Sequence, residues 1–408
     1  MEKTFLIAAL VKIALLIGGL MTAAAYLVLL ERWMAAWVQD RLGPNRVGIP
    51  LTKVRMFGLG QPLADGLKFI LKEEITPHQV DRVVYTVAPI VILATALAAF
   101  AAIPFGSVLP ADSGIPGVTE QIQLVVAPQF DVGLVYVFAL GSIAVYGVLL
   151  GGWASNSKYS FLGGLRSSAQ LIAYELPMGL GILGVVLFSG SLRLESIIGD
   201  QATSGVWNIL WQPLGFVVFL VAAFAESARL PFDLPEAEQE LVGGYHTEYA
   251  GMRLLMYLIA EFLHMVTASF LIVILFFGGW HFWGLTGSGD EVTWLTAIAR
   301  VIVLMVKVLL VILFFMLARW SWPRFRFDQL MNLSWKVMLP LGLVNLVAVA
   351  VLAEFGRPEI AGVNRWLCIA AMWGFAILVW VVAGLSAPLA TDNRPRADLF
   401  DSRRAFSP

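Results

Sequence analysis

Long apolar runs alternate with short polar segments along most of the 408-residue chain. A helix that crosses the hydrocarbon core of a bilayer needs about 20 mainly apolar residues. The connecting segments are too short to form a separate soluble domain. The expected fold class is therefore all-α, a polytopic transmembrane helical bundle. Its nine predicted spans lie at about 5–30, 83–104, 131–152, 169–189, 207–225, 252–278, 295–318, 335–354 and 365–386.

A shorter helical pattern lies in the long polar segment between the first two predicted spans. Residues 61–72 place Leu63, Leu67 and Leu71 on one helical face, with Asp65 among the polar positions. An amphipathic helix of this kind normally lies in the membrane interface. The functional alternative is that it forms the lip of a cavity that opens to the bilayer.

Positive charge is distributed unevenly between the two sides of the predicted bundle. With the N-terminus outside, 20 lysines and arginines fall on the inner side and 4 on the outer side. Three more, Lys12, Arg300 and Lys307, fall within spans. Because the inner loops of membrane proteins carry an excess of lysine and arginine, the sequence predicts an N-outside, C-inside orientation.

Composition agrees with a membrane protein and narrows the possible chemistry. Hydrophobic residues make up 59% of the chain and charged residues 13%, and the mean hydropathy is +0.81. A single cysteine, Cys368, excludes an intrachain disulfide and a thiolate-bound iron–sulfur or zinc site. Among the four histidines only His264 lies well inside an apolar run, so two transmembrane histidines cannot hold a haem. No metal site is expected, and any redox centre must belong to another chain.

Segment 225–261 concentrates acidic residues in a chain that otherwise avoids charge. Seven carboxylates face only two arginines, Arg229 and Arg253. A solvated loop is the simplest interpretation, but the last carboxylate lies at membrane depth, where it is costly unless it faces a partner or water. Crowded, buried carboxylates can pass protons or bind a cation, and their spacing does not distinguish the two. The carboxylates are Glu226, Asp233, Glu236, Glu238, Glu240, Glu248 and Glu261.

Other ionisable residues lie inside predicted spans. Glu175 in the fourth span is a functional candidate, with an ion pair to a neighbouring helix as the structural alternative. Lys307 is likewise a functional candidate, with a structural ion pair as the alternative. Lys12 is expected to be a packing cation near the membrane edge. His264 shares a helix face with Glu261, three residues earlier, and we expect a hydrogen-bonded core residue rather than a proton relay.

Five strings carry the pattern of a known family: ERWMAAWVQDRLGPNRVG, GLGQPLADGLKFILKEEITP, RSSAQLIAYELPMGL, RFRFDQLMNLSWKVMLPL and the acidic segment with ESARLPFDLPE. They closely resemble the H subunit of respiratory complex I, the proton-pumping NADH:quinone oxidoreductase. Since the resemblance runs from about residue 5 to 354, we expect a transmembrane domain like that of the H subunits at 1–354. Residues 355–408, a further span and a polar tail, match the family less well, and no function is assigned to them.

The resemblance implies a membrane subunit that forms part of a quinone chamber, where the peripheral and membrane arms of the complex meet, and links quinone reduction to proton translocation. Quinone would be a substrate, and this chain would bind no cofactor of its own. NAD(H), FMN and iron–sulfur clusters would lie in partner subunits of complex I, and no nucleic acid would bind. A multi-pass location in a bacterial plasma (inner) membrane is expected in preference to an organellar inner membrane.

By position, the resemblance assigns three groups of residues. The chamber and its entrance would be formed by Glu31, Arg32, Arg41, Arg46 and Asp65. The acidic loop beneath the quinone site would comprise Glu226, Arg229, Asp233, Glu236, Glu238, Glu240 and Glu248. An intramembrane path for protons or charge, starting near Glu226 and Glu248, would include Glu175 and Glu261, to which we add the intramembrane Lys307.

Three other functions fit parts of the sequence. A membrane anchor of an energy-converting hydrogenase shares ancestry with the H subunits, but the strings GPNRVG and QPLADGLKF favour the quinone enzyme. A stand-alone cation/proton antiporter would use Glu175, Glu261 and Lys307, yet the sequence shows no inverted repeat and no matching pair of broken helices. A purely structural anchor explains the loops but not the intramembrane carboxylates.

Overall fold

The structure, a computed structural model, describes residues 2–48, 57–110, 122–234, 241–286, 293–355 and 365–386. Helices dominate these ranges, in which strands β1 (Val108–Leu109) and β2 (Ile122–Gln123) form one short antiparallel pair. The helices are α1 (Glu2–Val38), α2 (Gln61–Leu71), α3 (Arg82–Ala99), α4 (Gly133–Ala154), α5 (Lys158–Ser189), α6 (Leu194–Ser204), α7 (Asn208–Trp211), α8 (Pro213–Glu226), α9 (Gly251–Phe276), α10 (Trp283–Thr286), α11 (Trp294–Ser321), α12 (Phe327–Asn332), α13 (Leu339–Phe355) and α14 (Arg365–Ser386). A 3₁₀ turn at Gly244–His246 precedes α9, and a π-helical stretch at Leu333–Met338 joins α12 to α13.

Within the described ranges, eight helices are long and apolar enough to cross a membrane. They are α1, α3, α4, α5, α9, α11, the continuous segment from α12 to α13, and α14. The predicted all-α polytopic bundle is thereby confirmed, including the helix of the last predicted span.

The predicted fifth span, 207–225, is the exception. The chain forms the short helices α7 and α8 there, which meet at Gln212 with the non-helical angles φ −136° and ψ 62°. Pro213 explains the break, because proline disfavours the helical conformation of the residue before it. With 14 residues, α8 is shorter than a full span. The described residues therefore contain eight full spans and one short apolar helix, where nine spans were predicted.

Several helices extend past their predicted limits, among them α1 and α5. The first predicted span ends at residue 30, yet α1 runs to Val38, and α5 begins at Lys158 rather than at 169. A hydropathy criterion stops at the first charged residues, whereas backbone hydrogen bonding continues into the polar region. The extension of α1 is important for the site, because it places Glu31 and Arg32 on a rigid helix.

Helix α9 lies at the centre of the bundle. In its most apolar stretch 78% of the residues are buried, compared with 22–44% in the other spans. It packs against α1, α3, α8 and α11. Most side chains in the second half of α9 are consequently buried, and Glu261 and His264, near its middle, are half-buried.

The predicted amphipathic helix is present as α2, at Gln61–Leu71. None of its residues is buried, and Leu63, Leu67 and Leu71 are exposed on its outer side. Its other face lies against α1 and α9. An exposed row of leucines on a short helix fits the interface position predicted for it.

Candidate functional site

A cavity of about 770 Å³ lies between α1, α2, α9 and the C-terminal end of α11. One part of its wall is apolar and comes mainly from α1 and α9, with Met21, Ala25, Val28 and Leu258 among the lining residues. The other part is charged. It is formed by Glu31, Arg32, Arg41, Asp65, Arg229, Glu261 and Arg319. Four of the five predicted chamber residues therefore line one cavity, and the fifth, Arg46, is exposed and lies outside it.

A buried ion network forms the charged end of the cavity. The Arg229 Nη1 atom donates to both carboxylate oxygens of Glu31, at 2.9 and 3.0 Å, and its Nε lies 2.7 Å from Oε1 of Glu261. Arg319 also contacts Glu31, and the Arg229 guanidinium lies over the Phe262 ring at 4.2 Å. Arg229 is 4% exposed and Glu31 is 8% exposed, so each charge depends on its partners for stabilisation.

The loop after α8 holds Arg229 in place. The Gln170 amide nitrogen of α5 donates to the backbone oxygens of Ala225 and Phe232, each at 2.8 Å, and so fixes both sides of Arg229. Phe232 stacks on Phe325, with ring centroids 5.4 Å apart. The predicted loop residue Asp233 accepts a hydrogen bond from Arg324 at 2.7 Å. The part of this loop that the structure describes, residues 230–234, is thus a rigid support for the arginine.

The α2 side of the cavity is held more weakly. Arg32 on α1 pairs with Asp65 on α2 at 2.7 Å, but their side chains are 42% and 22% exposed. A pair with that exposure contributes about 0–1 kcal/mol. The amphipathic helix is therefore tied to α1 by a solvent-accessible ion pair, in contrast to the buried network at the other end.

Glu226 and Glu175 lie apart from this cavity. Glu226 lines a separate small pocket together with His264, and the Glu175 charge acts on it electrostatically. Ser142 donates its hydroxyl hydrogen to the Glu175 carboxylate. The expectation that His264 is a hydrogen-bonded core residue is wrong at Nε2, since this buried atom has no partner among the described residues.

Glu248 lies beside a group of buried tyrosines. The Tyr85 hydroxyl donates to the backbone oxygen of Glu248 at 2.7 Å, and the Tyr85 and Tyr249 rings stack 4.1 Å apart. Burial raises the pKa of Tyr249 to about 12, so its phenol remains protonated at neutral pH. That phenol donates to the Tyr85 backbone oxygen at 3.2 Å. The neighbouring Arg253 Nη1 donates to Thr76 in the loop after α2, at 3.0 Å.

Lys307 has a different environment from the acidic residues. Its ammonium group donates to the backbone oxygens of Phe277, Gly279 and His281, at 2.7, 3.0 and 2.7 Å. These bonds use all three of its hydrogens and satisfy carbonyls of the C-cap and the turn that follows α9. Lys307 is 12 residues from Arg319 on α11, about 18 Å along the helix. The structure therefore does not bring Lys307 together with the charged cavity.

The other cations in the spans also bind backbone or hydroxyl oxygens. Lys12 donates to the backbone oxygens of Gln123 and Val125, at 3.2 and 3.4 Å, which fits the predicted packing cation. Arg300 donates to the Thr286 backbone oxygen at 3.1 Å. In the loop after α9, burial, helped by the Lys307 and Arg300 charges, lowers the pKa of His281.

Some predicted residues lie outside the described ranges, and some contacting residues were not predicted. Glu236, Glu238 and Glu240 belong to the first group. Arg319, Phe262 and Arg324 belong to the second. Arg319 directly follows the predicted seventh span, and a cation at the end of an apolar helix is the one signal that the sequence offers for it.

Comparison with known proteins connects this arrangement to a family. The NADH dehydrogenase family matches residues 11–350. The chain belongs to this family. An H subunit of the NADH-quinone oxidoreductase of Cytophaga hutchinsonii is 44% identical over 347 residues, which cover 85% of this chain and 95% of the relative. The H subunits of the same enzyme from Leptospira biflexa and Geobacter metallireducens are each 46% identical over 338 residues, covering 82% and 83% of this chain and 91% and 94% of the relatives.

These NADH dehydrogenase family relatives confirm the resemblance that the sequence strings indicated. The match includes α1 from residue 11 onward, the elements from α2 to α11 and most of the segment from α12 to α13, and it ends before α14. All residues of the buried ion network fall within it. With eight helices suited to crossing a membrane among the described residues, this member of the family is a multi-pass membrane protein.

Proposed function

We propose that this chain is a membrane subunit of a proton-translocating NADH–quinone oxidoreductase and forms the membrane side of its quinone chamber. The relatives at 44–46% identity are named as H subunits of NADH-quinone oxidoreductase. The observation that carries the proposal is the cavity of about 770 Å³, in which an apolar stretch ends at a buried ion network.

The cavity suits the chemistry of a quinone. A quinone has a polar ring with two carbonyl oxygens, which accept hydrogen bonds, and an apolar isoprenoid tail. The arginines at the charged end supply donors, and Met21, Ala25 and Val28 of α1 supply an apolar wall. The volume lies in the range of about 300–1,000 Å³ that small-molecule sites occupy. The electrons would come from partner subunits, where the iron–sulfur clusters, FMN and NAD(H) are expected.

The ion network gives quinone reduction a way to act on the membrane domain. Reduction to quinol takes up two protons and places negative charge near Arg229 while it proceeds. Arg229 binds both Glu31 and Glu261. Negative charge on the quinone would compete for the Arg229 guanidinium, weaken its attraction to the two carboxylates and favour their protonation. Glu226 and Glu175, which interact with each other, would extend the response as a path for protons or charge.

The proposed function also includes the extent of the domain, its orientation and its membrane. Residues 1–354 form the transmembrane domain shared with the H subunits, and residues 355–408 add a span and a tail to it. The cavity and the acidic segment face the cytoplasm, with the N-terminus outside. The assembly lies in a bacterial plasma membrane and contains partner subunits from both arms of the complex.

A photoreactive quinone analogue, applied to the purified native assembly, tests this function. We expect labelled peptides from α1, α2 and the segment after α8, and we expect a complex I inhibitor to block the labelling. Ala25→Trp fills the apolar part of the cavity and should lower labelling about tenfold or more. Ala23→Trp is the matched control, because Ala23 lies on the other side of α1.

The outcomes separate the proposal from its alternatives. Label only on partner chains would leave this chain as a structural anchor or as a relative of the hydrogenase anchors. Equal effects of Ala25→Trp and Ala23→Trp would show that the cavity between α1, α2 and α9 is not the quinone site. Purification of the chain without any redox partner would instead favour an antiporter.

A further inference from the structure

A small pocket lies where α3, α4, α8 and α9 meet, apart from the large cavity. Its volume is about 10 Å³. A buried water needs about 10–15 Å³ of space open to a water-sized sphere, together with two to four polar partners. The pocket is therefore the size of one water molecule, and its polar lining decides whether a water is stable in it.

Four polar side chains line the pocket. They are Glu226 on α8, His264 and Thr267 on α9, and Thr95 on α3. The Glu226 carboxylate oxygen Oε1 lies 3.1 Å from the position that a Cβ on Gly141 would take, and Gly141 is itself part of the pocket wall. The missing side chain at Gly141 thus leaves this space to the carboxylate.

Several polar atoms that face the pocket have hydrogen-bonding capacity that no described residue fills. Thr95 and Thr267 donate their hydroxyl hydrogens to carbonyls of their own helices, at 3.0 Å, so only their oxygen lone pairs remain available. Nε2 of His264 is buried and has no hydrogen-bond partner among the described residues. A carboxylate, an imidazole nitrogen and two hydroxyl oxygens therefore surround a water-sized space. Buried polar atoms in proteins are nearly always paired with protein or water.

We propose that this pocket holds one ordered water, which bridges Nε2 of His264 and the Glu226 carboxyl group, and that His264 is a proton station beyond Glu226. This inference rests on the proposed function, because it extends the path suggested there. His264 lies three residues beyond Glu261 on α9, about 4.5 Å further along the helix axis. The path thereby gains a titratable group near the middle of the 26-residue central helix.

The transfer is a simple proton relay. The O–H bond of protonated Glu226 breaks as its proton passes to the bridging water, and the water releases another of its protons to Nε2 of His264. Glu226 becomes a carboxylate and His264 an imidazolium, so one proton has moved and the pocket has gained no net charge. Net transport needs His264 to release this proton onward and Glu226 to be reprotonated from the side of the cavity, and no oxidant or reductant is needed.

The water itself can be tested directly. A cryo-electron microscopy map of the intact assembly, at a resolution that shows ordered waters, should contain density about 2.7–3.2 Å from both Nε2 of His264 and a Glu226 oxygen. An empty pocket, or a direct contact between Nε2 and the carboxylate, would overturn the water bridge.

The proton station is tested by two substitutions at one position. His264→Gln keeps a side chain that can form hydrogen bonds but cannot become protonated at neutral pH. His264→Leu removes both the hydrogen bonding and the ability to be protonated. We expect both variants to lower the number of protons transported per electron about twofold or more in reconstituted vesicles. If His264→Gln keeps the wild-type number of protons per electron, His264 is not a proton station and has only a structural role. His281→Gln makes the same change at a buried histidine in the loop after α9 and should leave the ratio unchanged.

A parallel Glu226→Gln variant separates this inference from the proposed function. If Glu226→Gln lowers the proton ratio and His264→Gln does not, the station is overturned and the acidic path stands. If Glu226→Gln also retains the wild-type ratio, the path proposed for this enzyme fails, and the station fails with it. Quinone-analogue labelling of the cavity remains an independent measure of the quinone site in either case.

Discussion

Arg229 combines functions that a surface arginine could not. It neutralises two carboxylates from different helices, Glu31 on α1 and Glu261 on α9, and it lies over Phe262. Arg319 adds a second cation at Glu31, so two positive and two negative charges balance in a buried space. Such a network is stable only while it is complete, because removal of one member leaves a buried charge uncompensated.

This dependence predicts a large difference between two arginine substitutions. Arg229→Met should lower the free energy of unfolding by about 3–5 kcal/mol, because it leaves Glu31 and Glu261 without their shared partner. Arg32→Met is the control at the exposed pair with Asp65 and should cost about 1 kcal/mol or less. Thermal unfolding of the purified assembly measures both.

A second substitution checks the cause of that loss. Glu261→Gln in the Arg229→Met background removes the carboxylate whose ion pair was lost and should recover part of the lost stability, whereas Glu31 keeps its contact with Arg319. Equal unfolding temperatures for Arg229→Met and Arg32→Met, or no recovery in the double variant, would contradict the buried-network explanation.

At the scale of residues, the sequence indicated which residues belong to the site better than it indicated which of them form ion pairs. The family resemblance predicted Glu31, Arg229 and Glu261 as site residues, and Glu261 was also a candidate because a carboxylate at membrane depth is costly. That Arg229 binds Glu31, 198 positions away, was beyond any local pattern. The role of Arg319 was missed for the same reason, because its partner is 288 positions away in sequence.

At the scale of elements, hydropathy located the helices but not all of their limits. The α2 helix followed from its amphipathic period, and α14 from its apolar length. The break at Gln212 arises from backbone sterics next to Pro213, which a hydropathy criterion ignores. Close packing between elements is a further property that helix prediction omits, and glycines on α5 provide a test of it.

Gly163 and Gly179 lie on the same helix but have different surroundings. A Cβ at Gly163 would lie 2.7 Å from backbone atoms of Gly244 and Tyr245, whereas a Cβ at Gly179 would meet nothing within 4 Å. Gly163→Ala should therefore destabilise the protein by about 1–3 kcal/mol through overpacking. Gly179→Ala should be neutral or stabilise it by up to about 1 kcal/mol, because alanine is the better helix former.

Unfolding temperatures of the two alanine variants, measured on the same purified assembly, check this prediction. A stable Gly163→Ala variant would show that the turn at Gly244–His246 can move away from α5 without loss. Destabilisation by Gly179→Ala would show that the surface of α5 near Gly179 packs against another chain in the assembly.

At the scale of the whole molecule, the bundle is asymmetric in charge and in polarity. The charged cavity lies at one end of α9, and the carbonyl-bound Lys307 lies beside its other end. Most loop arginines and lysines fall on the side of the cavity if the N-terminus is outside. The predicted orientation thus puts the cavity towards the cytoplasm, and it can be tested independently of enzyme activity.

Two single-cysteine variants test this orientation. In a Cys368→Ala background, Thr203→Cys marks the predicted outer side and Lys72→Cys the inner side, and both native side chains are exposed. A membrane-impermeant thiol reagent added to intact spheroplasts should label Thr203→Cys only. After the membranes are opened, both should react, which controls for accessibility. Labelling of Lys72→Cys alone in intact spheroplasts would reverse the orientation.

The sequence by itself determined the helical class, the location of most spans and the membership of the family. Those properties follow from local hydropathy and from short strings such as ESARLPFDLPE, which can be recognised without knowing any tertiary contact. Only the tertiary structure decided that Glu31, Arg229, Glu261 and Arg319 share one network, and that Lys307 does not join it. The physical reason is that burial and pairing of charge depend on which helices pack together, and helix packing joins residues that are hundreds of positions apart.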